Sequence, residues 1–297
     1  MAVAEAACNA YGSLAPRTQL LTVLKPTACP LSKDYRNDFD APQPVDEGVA
    51  MVDDQYCFDV ISLERIRGIS LAELRTSSVL SRKHRCSVIR HFARLIVTGW
   101  THAHEMPGPG RPRTPGRVGG SLRWRLEKMR ADLPPRFAPF VSRAWTQLDK
   151  ITSLPWVLTH GDMVPANIMV EPSQDKLGEL VLTGMLDWAE AEYLPFGVAL
   201  YGLEELLGET DSSGRFSYYS DESELRALFW EQLEAELAAG GPAMSKLEKQ
   251  IVDDAHILGV LLWHGIAFDD GKLDRVVQAG RDDEEILRLD LFFAGHM

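Results

Sequence analysis

Apolar positions recur along this chain with two periods. Between residues 81 and 104, Val88, Ile89, Phe92, Leu95 and Ile96 fall at steps of three and four, with Arg82, Lys83, Arg85, Arg90 and Arg94 among them. That spacing lines one face of a helix, and Ser81 is placed to cap its first turn. The same pattern predicts a helix over 222–239, where Leu225, Leu228, Phe229, Leu233 and Leu237 share a face and Gly240-Gly241-Pro242 ends it. A third long helix is predicted over 246–268, with Ile251, Ala255, Leu258, Leu261 and Leu262 inward. Shorter helices are expected over 122–133, 140–151, 198–207 and 284–293. Compact apolar runs at Trp156-Val157-Leu158 and Ile168-Met169-Val170 flank a polar loop, which reads as a hairpin. A further run, Leu180 to Leu186, reads as the neighbouring strand and ends on Asp187-Trp188.

The first sixty residues are thinner in pattern. Gln19 to Lys25 reads as a strand ending on a lysine, and residues 26–44, rich in Pro, Asp and Asn, read mostly as loop. Val45 to Val52 fits a short helix or a strand, and Tyr56 to Leu63 fits a strand. From Leu63 the chain is expected to leave on a turn permitted by Gly68 and to enter a helix near Leu71 that Ser70 can cap. Prolines and glycines between Met106 and Gly120 break the helical pattern, and with Arg111, Arg113 and Arg117 they form a basic connector. The division this suggests is a reduced β-rich lobe over 1–62, a hinge over 63–68 and a mostly helical lobe over 69–297.

Composition narrows the function classes. A chain of 297 residues has room for an ample core, and 45% hydrophobic residues is ordinary for a globular protein. A net charge of −12 offers no electrostatic case for nucleic acid or an anionic membrane. No apolar run approaches the ~18 residues of a membrane span. The N-terminus lacks the basic start and apolar core of a signal peptide. Cys8, Cys29, Cys57 and Cys86 are widely spaced and read as free thiols in a reducing compartment, the cytoplasm.

The chemistry concentrates in His160-Gly161-Asp162, Asn167 and Asp187. Phosphoryl transfer needs a carboxylate to take the proton of the attacking hydroxyl. It also needs oxygen ligands that hold magnesium against the phosphates. The order His-x-Asp-x-x-x-x-Asn, with an Asp twenty residues further on, resembles the kinase catalytic loop and its metal-binding Asp. With Gly161 in the middle and Asp187-Trp188 in place of Asp-Phe-Gly, it looks most like the aminoglycoside phosphotransferase and choline kinase branch. The resemblance implies an α+β, protein-kinase-like two-lobe fold that uses ATP and magnesium. Asp162 would then be the catalytic base, His160 a brace for the loop, and Asn167 and Asp187 metal ligands. Lys25 and Glu47 resemble the lysine–glutamate pair on the nucleotide, and Glu64 and Ile66 the hinge residues whose backbone meets adenine.

The acceptor is expected to be a small molecule, since neither an Ala-Pro-Glu segment nor an activation loop follows Asp187. Glu190, Glu192, Trp263 and His264 are the candidate acceptor residues. The acidic run from Glu190 to Glu209 suggests an amine-bearing substrate, and solubility is the other reading of those carboxylates. His102 and His104 read as helix-terminal rather than metal-binding, with no third ligand nearby. The lack of a Gly-x-Ser-x-Gly leaves a hydrolase without a nucleophile. Since Gly12 and Gly48 stand alone and no glycine-rich loop exists, a second reading stays open. That reading is a kinase-fold protein that does not use ATP and serves as a binding module or a different enzyme.

Overall fold

The structure, a computed structural model, describes residues 18–22, 44–53, 56–105, 116–240, 243–268 and 274–295, with the backbone alone over 18–64. In chain order the elements are β1 (Thr18–Thr22), β2 (Pro44–Asp53), β3 (Tyr56–Glu64), β4 (Ile69–Ser70), α1 (Leu71–Ser77), α2 (Arg82–Glu105), α3 (Leu122–Asp132) and α4 (Ala138–Ile151). They continue as β5 (Trp156–Thr159), β6 (Ile168–Pro172), β7 (Leu180–Met185), β8 (Glu192–Pro195), α5 (Tyr201–Leu206), β9 (Gly208–Thr210) and β10 (Phe216–Tyr218). The last are α6 (Glu222–Gly240), α7 (Lys246–Gly265), β11 (Ile266–Phe268), β12 (Asp274–Val276) and α8 (Asp283–Ala294).

Two compact units divide the chain. The smaller takes the residues up to Val79 together with Ala166–Ala189; the larger takes Leu80–Pro165 and everything from Glu190 onward. Within the smaller unit, β1, β3 and β2 form an antiparallel sheet in that order. The stretch Val45 to Val52, which the sequence left between helix and strand, is strand. It pairs along its length with β3, Gly48 opposite Val60 and Ala50 opposite Phe58. Its β-branched residues favour the ladder, and Gly48 would weaken a helix. A second sheet runs β4-β6-β7. The expected turn into β4 is present: Gly68 has φ 93, and a Cβ there would collide with the Val170 carbonyl. Ser70 Oγ accepts the Glu73 N–H at 3.1 Å and caps α1 as its position implied.

Helix packing builds the larger unit. α2 lies against α6, where the rings of Phe92 and Phe229 stand 5.9 Å apart. Trp100 meets Phe196 edge-on at 4.8 Å. α7 packs on α4 and α8, and Phe140 stacks on Phe293 at 3.9 Å. Phe92, Trp100 and Phe229 are fully buried. Burial of one such ring stabilises by about 1.5–3 kcal/mol and a well-placed aromatic pair adds about 0.5–1.5, so packing outweighs helix propensity here.

Three expectations need correction. The runs on either side of the His-Gly-Asp loop do not form a hairpin: β5 pairs antiparallel with β8, whereas β6 pairs with β4 and β7. The intervening loop, residues 160–167, is longer than the two to five residues of a usual hairpin turn, so it does not hold the flanking runs in register. The third long helix ends at Gly265, and Ile266–Phe268 pairs instead with β12. The helix expected over 198–207 is a 3-10 turn at Val198–Leu200 that leads into the short α5. Among the described residues no helix is long and apolar enough to cross a membrane.

Candidate active site

The His-Gly-Asp loop follows β5 within the larger unit, and each of its residues is tied down. His160 is buried, and its Nδ1 accepts the Asp162 N–H at 3.2 Å. That contact makes Nδ1 the acceptor, so a neutral ring carries its proton on Nε2. Gly161 has φ 86, and a Cβ there would collide with the Glu190 carbonyl, so backbone conformation and close approach both demand glycine. The Asp162 carbonyl accepts from Val164 N–H at 3.0 Å. Met163 N–H donates to the Tyr201 hydroxyl at 2.9 Å. Asp162 itself is half-buried at the crest of this turn. Tyr201 stacks face to face on Trp263, centroids 4.4 Å apart. Burial lifts the Tyr201 phenol well above the ordinary tyrosine range; the Met163 N–H works against this, and the charges of Asp162, Glu205 and Glu190 add to it. The hydroxyl is therefore neutral.

In the smaller unit, register sets the backbones of the two predicted metal ligands near each other. Ile168 pairs with Met185, and the Leu186 N–H donates to the Asn167 carbonyl at 2.8 Å. Asn167 thus stands opposite Leu186, with Asp187 next, at the open end of the β6–β7 hairpin. Asp187 is exposed and has φ 57, the sole non-glycine with positive φ among the described residues. For an L-residue that conformation costs roughly 1–2 kcal/mol, and Asp is among the few that adopt it. The Trp188 indole N–H donates to the Met185 carbonyl at 2.9 Å and holds the chain as it leaves the strand. An amide oxygen and a carboxylate are hard donors that suit magnesium, which commonly takes few protein ligands and completes its shell with water and phosphate. No group of three or more His, Cys, Asp or Glu side chains among the described residues could hold a metal.

The other predicted residues have varied surroundings. Lys25 lies outside the described residues, as do the side chains of Glu47 and Glu64. In backbone, Glu47 pairs with Ile61, and Glu64 pairs with Thr18 at the end of β3. Ile66 is buried. Glu190 is exposed, and its carbonyl closes over Gly161. Glu192 binds backbone: its two carboxylate oxygens accept the N–H groups of Val118 and Gly119, each at 2.8 Å. Trp263 is engaged with Tyr201. His264 is buried in an ionic cluster, with Nδ1 2.5 Å from Glu285 and Nε2 3.7 Å from Glu205, which Arg288 also meets at 2.6 Å. Beside it Glu204 binds Arg226 with both oxygens, at 2.6 and 2.9 Å, and accepts from Tyr218 at 2.7 Å. His256 Nε2 lies 3.1 Å away. Sequence reasoning missed Tyr201 because it sits in an apolar run that reads only as core.

Comparison with known proteins gives the family and the fold. The model of the APH phosphotransferase enzyme family matches residues 35–201. An aminoglycoside 2′-phosphotransferase-IIIa variant solved with GDP shares 12% identity over 88% of each chain, at a TM-score of 0.50. An aminoglycoside 2″-phosphotransferase solved with GDP and kanamycin shares 14% identity over 75% of this chain, at a TM-score of 0.46. This chain spans 66% of the length of that protein. A macrolide 2′-phosphotransferase from Brachybacterium faecium, solved as the apoenzyme, shares 18% identity over 76% of this chain and 68% of its own, at a TM-score of 0.43. No curated protein matches the chain. The fold is the α+β, protein-kinase-like fold of these phosphotransferases.

Proposed function

The chain belongs to the APH phosphotransferase enzyme family, and from that premise we propose that it moves the γ-phosphate of ATP to a hydroxyl of a small molecule. Asp162 accepts the proton of the attacking hydroxyl, and His160 holds the backbone that carries Asp162. Asn167 and Asp187 are the residues that would hold magnesium, which neutralises charge on the phosphoryl oxygens. Lys25 and Glu47 serve the phosphates, and the backbone at Glu64 and Ile66 serves adenine, as the family resemblance implies. Residues 1–62, 63–68 and 69–297 act as nucleotide lobe, hinge and acceptor lobe. Glu190, exposed beside Gly161, is the residue best placed to receive an amine-bearing acceptor. Glu192 belongs to the supporting structure, because both its oxygens are engaged with backbone.

One observation carries this reading: the amides on both sides of the Asp162 carbonyl are fixed, by His160 and by Tyr201, in a turn that only Gly161 permits. Preorganised aim of this kind is what general-base catalysis needs, and the base contributes on the order of 10²–10⁴ in rate. The test is Asp162→Asn. It should abolish transfer while ATP with magnesium still raises the melting temperature. A second reading, a kinase-fold protein that does not use ATP, draws on the glycine-poor first sixty residues. Wild-type protein that shows neither a thermal shift with ATP and magnesium nor slow ATP hydrolysis would favour it.

A further inference from the structure

The reading above gives Tyr201 no task, yet Tyr201 and its neighbour grip the residue that follows Asp162. The Tyr201 hydroxyl accepts the Met163 N–H at 2.9 Å. At the next position a Cβ on Gly202 would lie 2.8 Å from Met163 Cβ and 3.1 Å from its Sδ, so the Met163 side chain closes onto bare backbone. Met163 is thus held twice, by its amide and by its side chain, from two consecutive residues of α5.

The helix that supplies this grip is itself anchored. At its other end Glu204 is bound to Arg226 on α6, and Glu205 to Arg288 on α8, both carboxylates buried. Sliding α5 by one turn would break both pairs and strand charges in the core, which is strongly unfavourable. The Tyr201 ring is clamped against Trp263. A neutral phenol also suits the place chemically. It offers an acceptor oxygen to the amide without setting a second negative charge beside Asp162, as a carboxylate there would.

We propose that Tyr201 is a positioning residue: through the Met163 amide, its hydroxyl transmits the rigidity of the buried α5 to the loop that aims Asp162. The catalytic part of this role rests on Asp162 being the base; the anchoring does not. Tyr201→Phe deletes one oxygen and keeps the stacked ring, which makes it the variant to test. Two readouts are needed, amide hydrogen exchange by NMR and steady-state kinetics with ATP.

In wild type the Met163 amide should exchange at least ~100-fold slower than an open chain, as local stability of a hydrogen-bonded loop requires. In Tyr201→Phe its exchange should rise at least ~10-fold while amides of α2 and α6 are unchanged. Transfer should lose ~10–100-fold in kcat with KM for ATP held within ~2-fold, the signature of a misaimed base rather than lost binding. Open-chain exchange at Met163 in wild type overturns the proposal, and can be read even if the variant does not fold. So does unchanged exchange in the variant, or faster exchange with unaltered kcat. If wild type transfers no phosphate, the kinase reading falls while the exchange measurement still decides the anchor: faster exchange in the variant supports it and unchanged exchange overturns it.

Discussion

The Leu186 N–H donates to the Asn167 carbonyl at 2.8 Å, one step beyond the end of the β6–β7 ladder and between residues 19 apart in the chain. It sets Asn167 beside the residue that precedes Asp187, and the left-handed backbone at Asp187, φ 57, ends the extended run there. Register thus sets the backbone of Asn167 close to that of Asp187, which carries the strained φ. Backbone strain of this kind persists where surrounding structure imposes it, and it clusters at functional sites.

Asp187→Asn should separate metal binding from folding. Asn tolerates the same left-handed conformation, so the melting temperature should stay within about 2 °C. Loss of the negative ligand should weaken manganese binding, followed by electron paramagnetic resonance with ATP present, by at least about tenfold. Transfer should drop with it. Unchanged manganese affinity would remove Asp187 from the metal site.

Gly161→Ala tests the turn. The new Cβ meets the Glu190 carbonyl, and φ 86 is strained for alanine. Destabilisation of about 1–3 kcal/mol is expected, together with a loss of turnover larger than that of an ordinary loop substitution. Chemical denaturation and kinetics on the same preparation check both. A neutral effect on each would show that the loop has room the structure does not give it.

Acid stability should depend on Glu204. Burial by itself would raise its carboxyl, but the hydrogen bonds and charge of Arg226, with the His256 ring 3.1 Å away, hold it well below its ordinary 4.5. A depressed carboxylate stabilises the fold above the unfolded value, so the contribution is complete above about pH 4.5 and is lost as pH falls toward the folded value. In Glu204→Gln, Arg226 loses its buried partner and keeps only the half-buried Glu222 at 3.3 Å, so the cost near neutrality should stay below the about 3–5 kcal/mol of a wholly unpaired buried charge. The variant's melting temperature should also fall less than that of wild type between pH 6 and pH 3. Parallel curves for the two proteins would count against the assignment.

Glu192→Gln should loosen the entry to α3 without touching the chemistry directly. A carboxamide has one acceptor oxygen for the two amides of Val118 and Gly119. Destabilisation of about 0.5–1.5 kcal/mol and faster hydrogen exchange at Val118 and Gly119 are expected, with kcat little altered. A large change in KM for an amine-bearing acceptor, with exchange unaltered, would instead return Glu192 to the acceptor site.

The long helices and the His160–Asp162–Asn167–Asp187 spacing were legible because both are local. Periodicity of Val88, Phe92 and Ile96, or of Leu225, Phe229 and Leu233, reports which face each segment buries, whatever it packs on. Residues five and twenty apart on loop and strand ends show the family motif in the same way. Caps at Ser70 and Ser81 belong with these, since a hydroxyl and the amide three residues on are all they require.

Partner choice was not legible. Nothing in Trp156-Val157-Leu158 says that it pairs with Glu192–Pro195 and not with Ile168-Met169-Val170, because strand pairing is settled by contacts far apart in sequence. Nor does an apolar run announce that one hydroxyl in it, on Tyr201, will meet the amide of Met163, 38 residues earlier. By itself the chain determined the motif that marks its family and which segments are amphipathic. Tertiary structure alone decided which groups are engaged and with what, Glu192 on backbone and His264 among carboxylates. Engagement is a property of distance in space, and separation along the chain does not measure it.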